Sequence, residues 1–190
     1  MGIYKSLRPL IFKLNPETAH NLAIRLLKSN LFFPHTKEYA NLKQNIFNLN
    51  FKNPIGMAAG FDKNAQVAES LSKFGFGFVE CGTVTPIAQV GNKKPRIFRL
   101  EEDGAIINRL GFNNAGARDF ERNFKQIPRR SLCPIGINIG KNKYTKDAVQ
   151  DYLFLLDRFY TRASYITINI SSPNTENLRD LQKEDQLAEF

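Results

Sequence analysis

After residue 45 the chain alternates short apolar segments with helical ones, and each apolar segment ends in glycine or small polar residues. The four endings are "AAGFDKN" (58–64), "CGTVTP" (81–86), "NIGKN" (138–142) and "NISSPNT" (169–175). Strands are predicted over 53–59, 76–82, 134–139 and 164–170, with helices from Asp62 to about Lys73, near 114–125 and near 145–161. Such alternation requires a parallel sheet, because each helix carries the chain back to start the next strand in the same direction. A doubly wound sheet gathers its ligand-binding groups at the one point where strand order reverses. A (β/α)8 barrel opens all its strand C-termini onto one face. Polar endings on all four strands favour the barrel. A complete barrel takes about 250 residues, whereas this chain of 190 holds four βα units. The predicted fold is therefore α/β, about half of a TIM (β/α)8 barrel.

Two further segments complete the outline. "NIFNLNFKN" (45–53) reads as a β-hairpin around Asn48–Asn50, and residues 82–113 read as a long loop containing glycine and proline. The N-terminus reads as a separate amphipathic helical extension, which divides the chain into residues 1–40 and 41–190. In "LNPETAHNLAIRLLKSN" (14–30), Asn15 suits an N-cap and Pro16 the first helical position, with Ala19, Leu22, Ala23, Leu26 and Leu27 on one face. Upstream, Ile3, Tyr4, Leu7, Ile11 and Leu14 share a face, and Pro9 has to start or kink that helix. "LFFP" (31–34) adds apolar mass, and residues 182–190 read as the start of another helix.

Lys+Arg of 27 against Asp+Glu of 18 gives a net charge of +9. Residues 1–50 hold seven Lys/Arg and two Glu, which makes that segment +5. Basic excess on amphipathic helices suits an anionic membrane surface; a helical hairpin packed on its own domain fits the pattern equally well. Nucleic acid is not expected, since no helix-turn-helix, zinc-ligand, RRM or KH pattern is present. Cys81 and Cys133 lie in apolar strand-like runs and read as buried reduced thiols rather than a disulfide or a metal pair. No metal site is expected. No run of 18 apolar residues could span a bilayer, and the N-terminus lacks the pattern of a secretory signal.

The strand endings carry neutral hydrogen-bonding chemistry. Ala59 and Gly60 let backbone approach a flat ligand, and Lys63 sets one positive charge beside it, although a solvated lysine is the simpler reading of that residue alone. Thr83 and Thr85 add hydroxyls, Asn138 an amide, and Asn169 and Asn174 bracket Ser172 and Pro173. Ser172 could equally be the N-cap of a following helix. In the long loop, Asn108, Asn113 and Asn114 surround Gly111, and Phe112 could cover a planar ligand.

Five motifs in order, "NPIGMAAGFDKN", "GFGFVECGTVTP…GNKKPRIFRL", "INRLGFNNAG", "GINIGKN" and "YITINISSPNT", together resemble dihydroorotate dehydrogenase, specifically its membrane-associated, quinone-reducing class. The helix with "LNPETAH" resembles the extension that marks this class. The resemblance implies a barrel that holds FMN and oxidises dihydroorotate to orotate in pyrimidine synthesis, passing electrons to a membrane quinone. It implies Ser172 as the catalytic base, with Thr175 as a proton relay; the soluble class carries cysteine at that position. It implies FMN contacts at Ala59, Gly60, Phe61, Asp62, Lys63, Thr83, Asn138 and Asn169. Substrate contacts would be Lys63, Asn108, Arg109, Leu110, Gly111, Phe112, Asn169 and Asn174, while His20 and Arg99 would line the quinone site. The implied location is the cytoplasmic side of a membrane, as a peripheral protein.

The resemblance also places the flavin-phosphate site, a second lysine and further substrate asparagines in a second half-barrel beyond these four units. An enzyme segment completed by a C-terminal half is one expectation, and a truncated, inactive remnant is the alternative. A basic scaffold protein would explain none of the strand-end motifs.

Overall fold

The computed structural model describes residues 3–30, 36–128, 130–175 and 178–184. Two helices lead, α1 (Ile3–Phe12) and α2 (Pro16–Lys28). The Asn15 side chain accepts a hydrogen bond from the Glu17 amide at 3.0 Å, and Pro16 takes the first turn, where a missing N–H goes unnoticed. Pro9 lies inside α1 and does not start it. Residues 31–34 and 185–190, two stretches singled out in the sequence, lie outside the described residues.

A hairpin of β1 (Gln44–Ile46) and β2 (Leu49–Phe51) follows. Its turn is Phe47–Asn48, one position earlier than the sequence suggests, with both residues at positive φ of 50° and 62°. Two left-handed residues match the right-handed twist of the flanking strands. The central sheet is parallel and contains β3 (Gly56–Met57), β4 (Phe78–Val84), β7 (Ile135–Ile139) and β8 (Tyr165–Ile168), in that order. Between them run α3 (Ala68–Ser72), α4 (Gly116–Phe124) and α5 (Ala148–Phe159). Among the described residues spatial order follows chain order with no reversal, so these four strands have no switch point of the doubly wound kind.

Two elements depart from expectation. α3 begins at Ala68 rather than Asp62, because the Asp62 carboxylate accepts the backbone N–H groups of Gln66 and Val67, each at 2.8 Å, and thereby holds the segment before the helix as a loop. The long loop contains an antiparallel hairpin, β5 (Ile97–Leu100) with β6 (Ala105–Asn108). A short 3-10 turn, Leu178–Gln182, closes the described chain.

Strand periodicity separates the two faces of the sheet. Val79 and Cys81 of β4 and Ile135, Ile137 and Ile139 of β7 enter the core with Leu71, Phe120, Leu155 and Phe159 from the helices. Each fully buried large side chain there contributes about 1.5–3 kcal/mol, and Phe120 and Phe159 add an edge-to-face contact at 5.3 Å. The opposite face carries Phe78, Glu80, Gly136, Asn138, Tyr165 and Thr167. The Phe78 and Tyr165 rings meet at 6.5 Å across Gly136, where any Cβ would collide with the Tyr165 ring. Glycine is needed there for space, since its φ is ordinary.

Candidate active site

The C-terminal ends of the parallel strands converge on one cluster of amides and hydroxyls. At the end of β3, the Gly60 amide donates to the Gly82 carbonyl at 2.7 Å, and the Gly82 amide donates to the Asp62 carbonyl at 2.9 Å. These two bonds lace the first strand ending to the second. Gly60 has a φ of 103°, and a Cβ there would meet nothing within 4 Å, so the space above it is open. Thr83 donates to Asn138 Oδ1 at 2.5 Å, and Asn169 Nδ2 reaches both Thr83 Oγ1 and Asn138 Oδ1 at 3.1 Å. Three residues read from three separate strand endings thus form one network.

The serine loop stands beside it. Ser172 Oγ accepts the Asn174 N–H at 3.2 Å, a turn within the loop. The next described helical element begins at Leu178, so Ser172 does not cap a helix. Thr175 is buried at 4% exposure, and its carbonyl accepts from the Leu178 amide. From the β5–β6 side, Asn92 Nδ2 bridges the carbonyls of Arg109 (3.1 Å) and Asn174 (3.3 Å), while Asn174 Nδ2 reaches the Asn108 carbonyl at 3.5 Å. The two loops expected to share a ligand are therefore physically tied. Phe112, buried and at φ 51°, sits over Gly140 next to Thr83. Leu110 and Gly111 support that loop through their carbonyls, which accept from the Asn92 amide and Gln89 Nε2.

Several expected residues serve the scaffold with their side chains. Burial raises the carboxyl of Asp62 above the usual range, partly offset by its backbone N–H partners, and that carboxylate is committed to its own loop. Arg109 turns to the Pro95 carbonyl and stacks 5.6 Å over Phe98. Asn114 holds Thr85, Phe112 and Gly116 together. Lys63 is half-buried, and burial lowers its ammonium below the usual lysine range.

On the other side of Phe61 lies the helical extension. His20 packs edge-on against the Phe61 ring at 5.1 Å, and burial followed by the Lys63 charge lowers its imidazole. A cavity of about 90 Å³ opens between α2 and the β3 ending, lined by Glu17, His20, Phe61, Lys63 and Asn113 among others. Arg96, buried on β5's approach, pairs with Glu17 at 2.5 Å, and Arg99 donates to the Phe12 and Leu14 carbonyls while stacking 4.6 Å over Phe12. These contacts fasten α1 and α2 to the β5 hairpin.

Residues 41–190 match the family profile described as dihydroorotate dehydrogenase. The chain belongs to that family. A relative from Psychrobacter sp. (strain PRwf-1), named dihydroorotate dehydrogenase (quinone), is 49% identical over 194 residues, covering 98% of this chain and 55% of that protein. One of the same name from Sinorhizobium fredii is 53% identical over 180 residues, covering 94% of this chain and 49% of that protein. A crystal structure of DHODH from Eimeria tenella in complex with ferulenol superposes with a TM-score of 0.87 at 44% identity, covering 94% of this chain and 51% of that one. The chain thus spans about half the length of these dihydroorotate dehydrogenases.

Residues that the sequence reading missed lie behind the cluster. Glu80 accepts from Asn138 Nδ2 and Thr167 Oγ1, Tyr152 donates to the Asn169 carbonyl at 2.9 Å, and Asn92 joins the two loops. A carboxylate in the otherwise apolar run "FGFVECG" was the one available signal. Cys81 and Cys133 are free and buried; burial raises the Cys81 thiol far up and the Cys133 thiol to about 11.

Proposed function

We propose that this chain forms the first half of a quinone-reducing dihydroorotate dehydrogenase, a (β/α)8 barrel that oxidises dihydroorotate to orotate in pyrimidine synthesis. The observation that carries this reading is the meeting of Thr83, Asn138 and Asn169 in one hydrogen-bonded cluster beside the Ser172 loop. The residues present fit FMN: open space over Gly60, neutral donors and acceptors in place of acids, and a half-buried lysine suit a flat, polar-edged ring. Ala59, Gly60, Lys63, Thr83, Asn138 and Asn169 would hold it, Phe61 would lie along it, and Asp62 would act through its loop. When bound, the flavin supplies the acceptor for the two electrons and hydrogen removed from C6 of the substrate.

Ser172 takes the C5 proton at Oγ. A serine hydroxyl is a weak base near neutral pH, so it needs an oriented position and exclusion of water. The Asn174 N–H directed at Oγ stabilises negative charge there. As Oγ takes that proton, its own hydroxyl proton leaves by way of Thr175, buried three residues further along, and on to solvent. Asn108, Asn169 and Asn174 orient the substrate's carbonyl and carboxylate groups, with Lys63 as counter-charge. Phe112, with Leu110, Gly111 and the scaffold residue Arg109, closes the site against water.

Quinone access follows from the extension. Tyr4, Leu7, Leu10, Leu22 and Leu26 are exposed on α1 and α2, among basic residues, and this surface suits a peripheral seat on the anionic cytoplasmic face of a membrane. Among the described residues no helix is long and apolar enough to cross a bilayer. His20, on α2 against Phe61, and Arg99, on β5 against Phe12, would line the quinone path. The test is anaerobic bleaching of flavin absorbance by dihydroorotate, followed by recovery on adding a quinone, with the family's second half supplied in trans. A flavin that dihydroorotate does not bleach refutes the reading.

A further inference from the structure

We infer that Glu80 is a positioning residue that sets the direction of the amide cluster, and with it which groups donate and which accept toward the ring; the inference rests on the flavin reading above. Glu80 is not explained by its strand. Its neighbours Val79 and Cys81 are core residues, and a glutamate is poorly suited to a half-buried strand position. What it does is visible in its partners. Oε1 accepts from Asn138 Nδ2 at 2.8 Å, and Oε2 accepts from Thr167 Oγ1 at 3.0 Å.

The consequence follows from the inventory of donors and acceptors. A carboxylate only accepts, and an asparagine side chain carries one donor group and one acceptor. With Nδ2 turned to Glu80, Asn138 must present Oδ1 on its other side. There it accepts from Thr83 Oγ1 at 2.5 Å and from Asn169 Nδ2 at 3.1 Å. Thr83 has then used its proton, so its oxygen accepts from Asn169 Nδ2 at 3.1 Å. Asn169 is forced to point Oδ1 outward, where it accepts from the Ser171 amide and hydroxyl, both at 3.2 Å. Direction is thus transmitted from one carboxylate to the residue preceding Ser172.

Reversing Asn138 would set its oxygen against Glu80 and its nitrogen against the Asn169 nitrogen, two repulsive contacts in place of two bonds. Asn138 and Thr83 are 5% and 6% exposed, so water is poorly placed to repair the mismatch. The second N–H of Asn138 is therefore a donor of fixed position. A ring edge with complementary polarity is accepted and the inverse pattern is rejected.

Three versions of the chain separate orientation from packing. Glu80→Gln keeps an acceptor for Asn138, and its own amide can donate to the Thr167 hydroxyl. Glu80→Leu keeps the bulk and removes the acceptor. The probe is NMR of the 15N,13C-labelled chain, reading the Asn138 side-chain amide. In wild type and Glu80→Gln, its protons should show cross-relaxation with the residue 80 side chain and slow exchange with water. In Glu80→Leu that orientation should be lost and exchange should accelerate. An unchanged amide in Glu80→Leu, an averaged amide in wild type, or a wild-type spectrum without dispersion overturns the inference. Flavin titration of the same variants, with the second half in trans, reads the consequence: Glu80→Leu should weaken FMN binding by about tenfold or more and Glu80→Gln by less than about threefold, as for one mispaired buried group. If wild type takes up no FMN while the amide behaves as stated, the flavin reading fails and the orienting role stands. If Glu80→Leu binds FMN as tightly as wild type, the orienting role toward the ring fails.

Discussion

In the proposed reaction Ser172 is the base, and its surroundings set what substitution should do. Ser172→Ala removes the Oγ that accepts the Asn174 N–H but leaves the amide cluster of Thr83, Asn138 and Asn169 untouched. The completed protein should therefore keep its FMN absorbance and lose about 10²–10⁴-fold in the rate of flavin reduction by dihydroorotate, the usual contribution of a positioned base. Ser172→Cys should retain more activity than alanine, measured in the same stopped-flow assay; equal rates for wild type and alanine would remove the role. Gly136 tests the other end of the sheet. Gly136→Ala puts a methyl into the Tyr165 ring, and should cost about 1–3 kcal/mol by urea unfolding, as overpacking does. Members of the hydrogen-bonded cluster were legible where a strand ends in unusual polarity, as at Thr83, Asn138 and Asn169. Glu80 was not, because its partners lie 58 and 87 positions away, and no local pattern announces a carboxylate that faces an amide across a sheet.

At the scale of elements, α2 is attached by Ile24 and Leu27 packed on the core, by Ser70 donating to the Leu27 carbonyl, and by an ion pair. Arg96 is 4% exposed and donates to both Glu17 oxygens, at 3.2 and 2.5 Å, with Lys94 alongside at 3.4 Å. The Arg96 hydrogen bond is the main cause holding the Glu17 carboxyl below its usual range, opposed by burial. A depressed carboxylate contributes stability above its unfolded pKa, and that contribution is lost as pH falls through the folded value. Docking of the helical extension should therefore be intact near neutrality and loosen below the ordinary carboxylate range. Glu17→Gln should remove about 1–3 kcal/mol at pH 7 and flatten the acid limb, because Arg96 is left buried without its anion. Limited proteolysis in the α2–β1 connection against pH measures this; identical profiles for wild type and Glu17→Gln would contradict it. Helices α2, α4 and α5 and strands β4, β7 and β8 were legible from periodicity. The β5–β6 hairpin was not: its strands have four residues each and stand among glycines and prolines, and their pairing becomes visible only in the antiparallel register Ile97 to Asn108. α3 was overextended because Asp62 resembles a helix start while its carboxylate in fact organises a loop.

On the scale of the whole molecule, the parallel sheet leaves β3 and β8 as its two edges among the described residues, and Glu80, Asn138 and Thr167 lie on the face away from the helices. Parallel sheets are stable when both faces are covered, and open edges invite pairing with another chain. A segment corresponding to the second half of the dihydroorotate dehydrogenase barrel should therefore bind this chain in trans and raise its melting temperature. It should also reduce binding of a dye that reports exposed apolar surface. No change in either quantity would argue against the half-barrel reading. The extension should act independently of that completion. Exposed Tyr4, Leu7, Leu10, Leu22 and Leu26 lie on helices within a segment of charge +5, so apolar insertion and attraction to anionic headgroups reinforce each other. Each basic residue near such a surface contributes about 1 kcal/mol, an amount that salt screens, whereas leucines inserted among the lipids do not respond to salt in that way. Flotation with vesicles rich in anionic lipid should therefore be strong at low salt, weaker but still present at high salt, and reduced at both by Leu10→Ser with Leu26→Ser. Loss of all flotation in high salt would make the association purely electrostatic, and failure to float at any salt would leave α1 and α2 as a hairpin packed on its own domain.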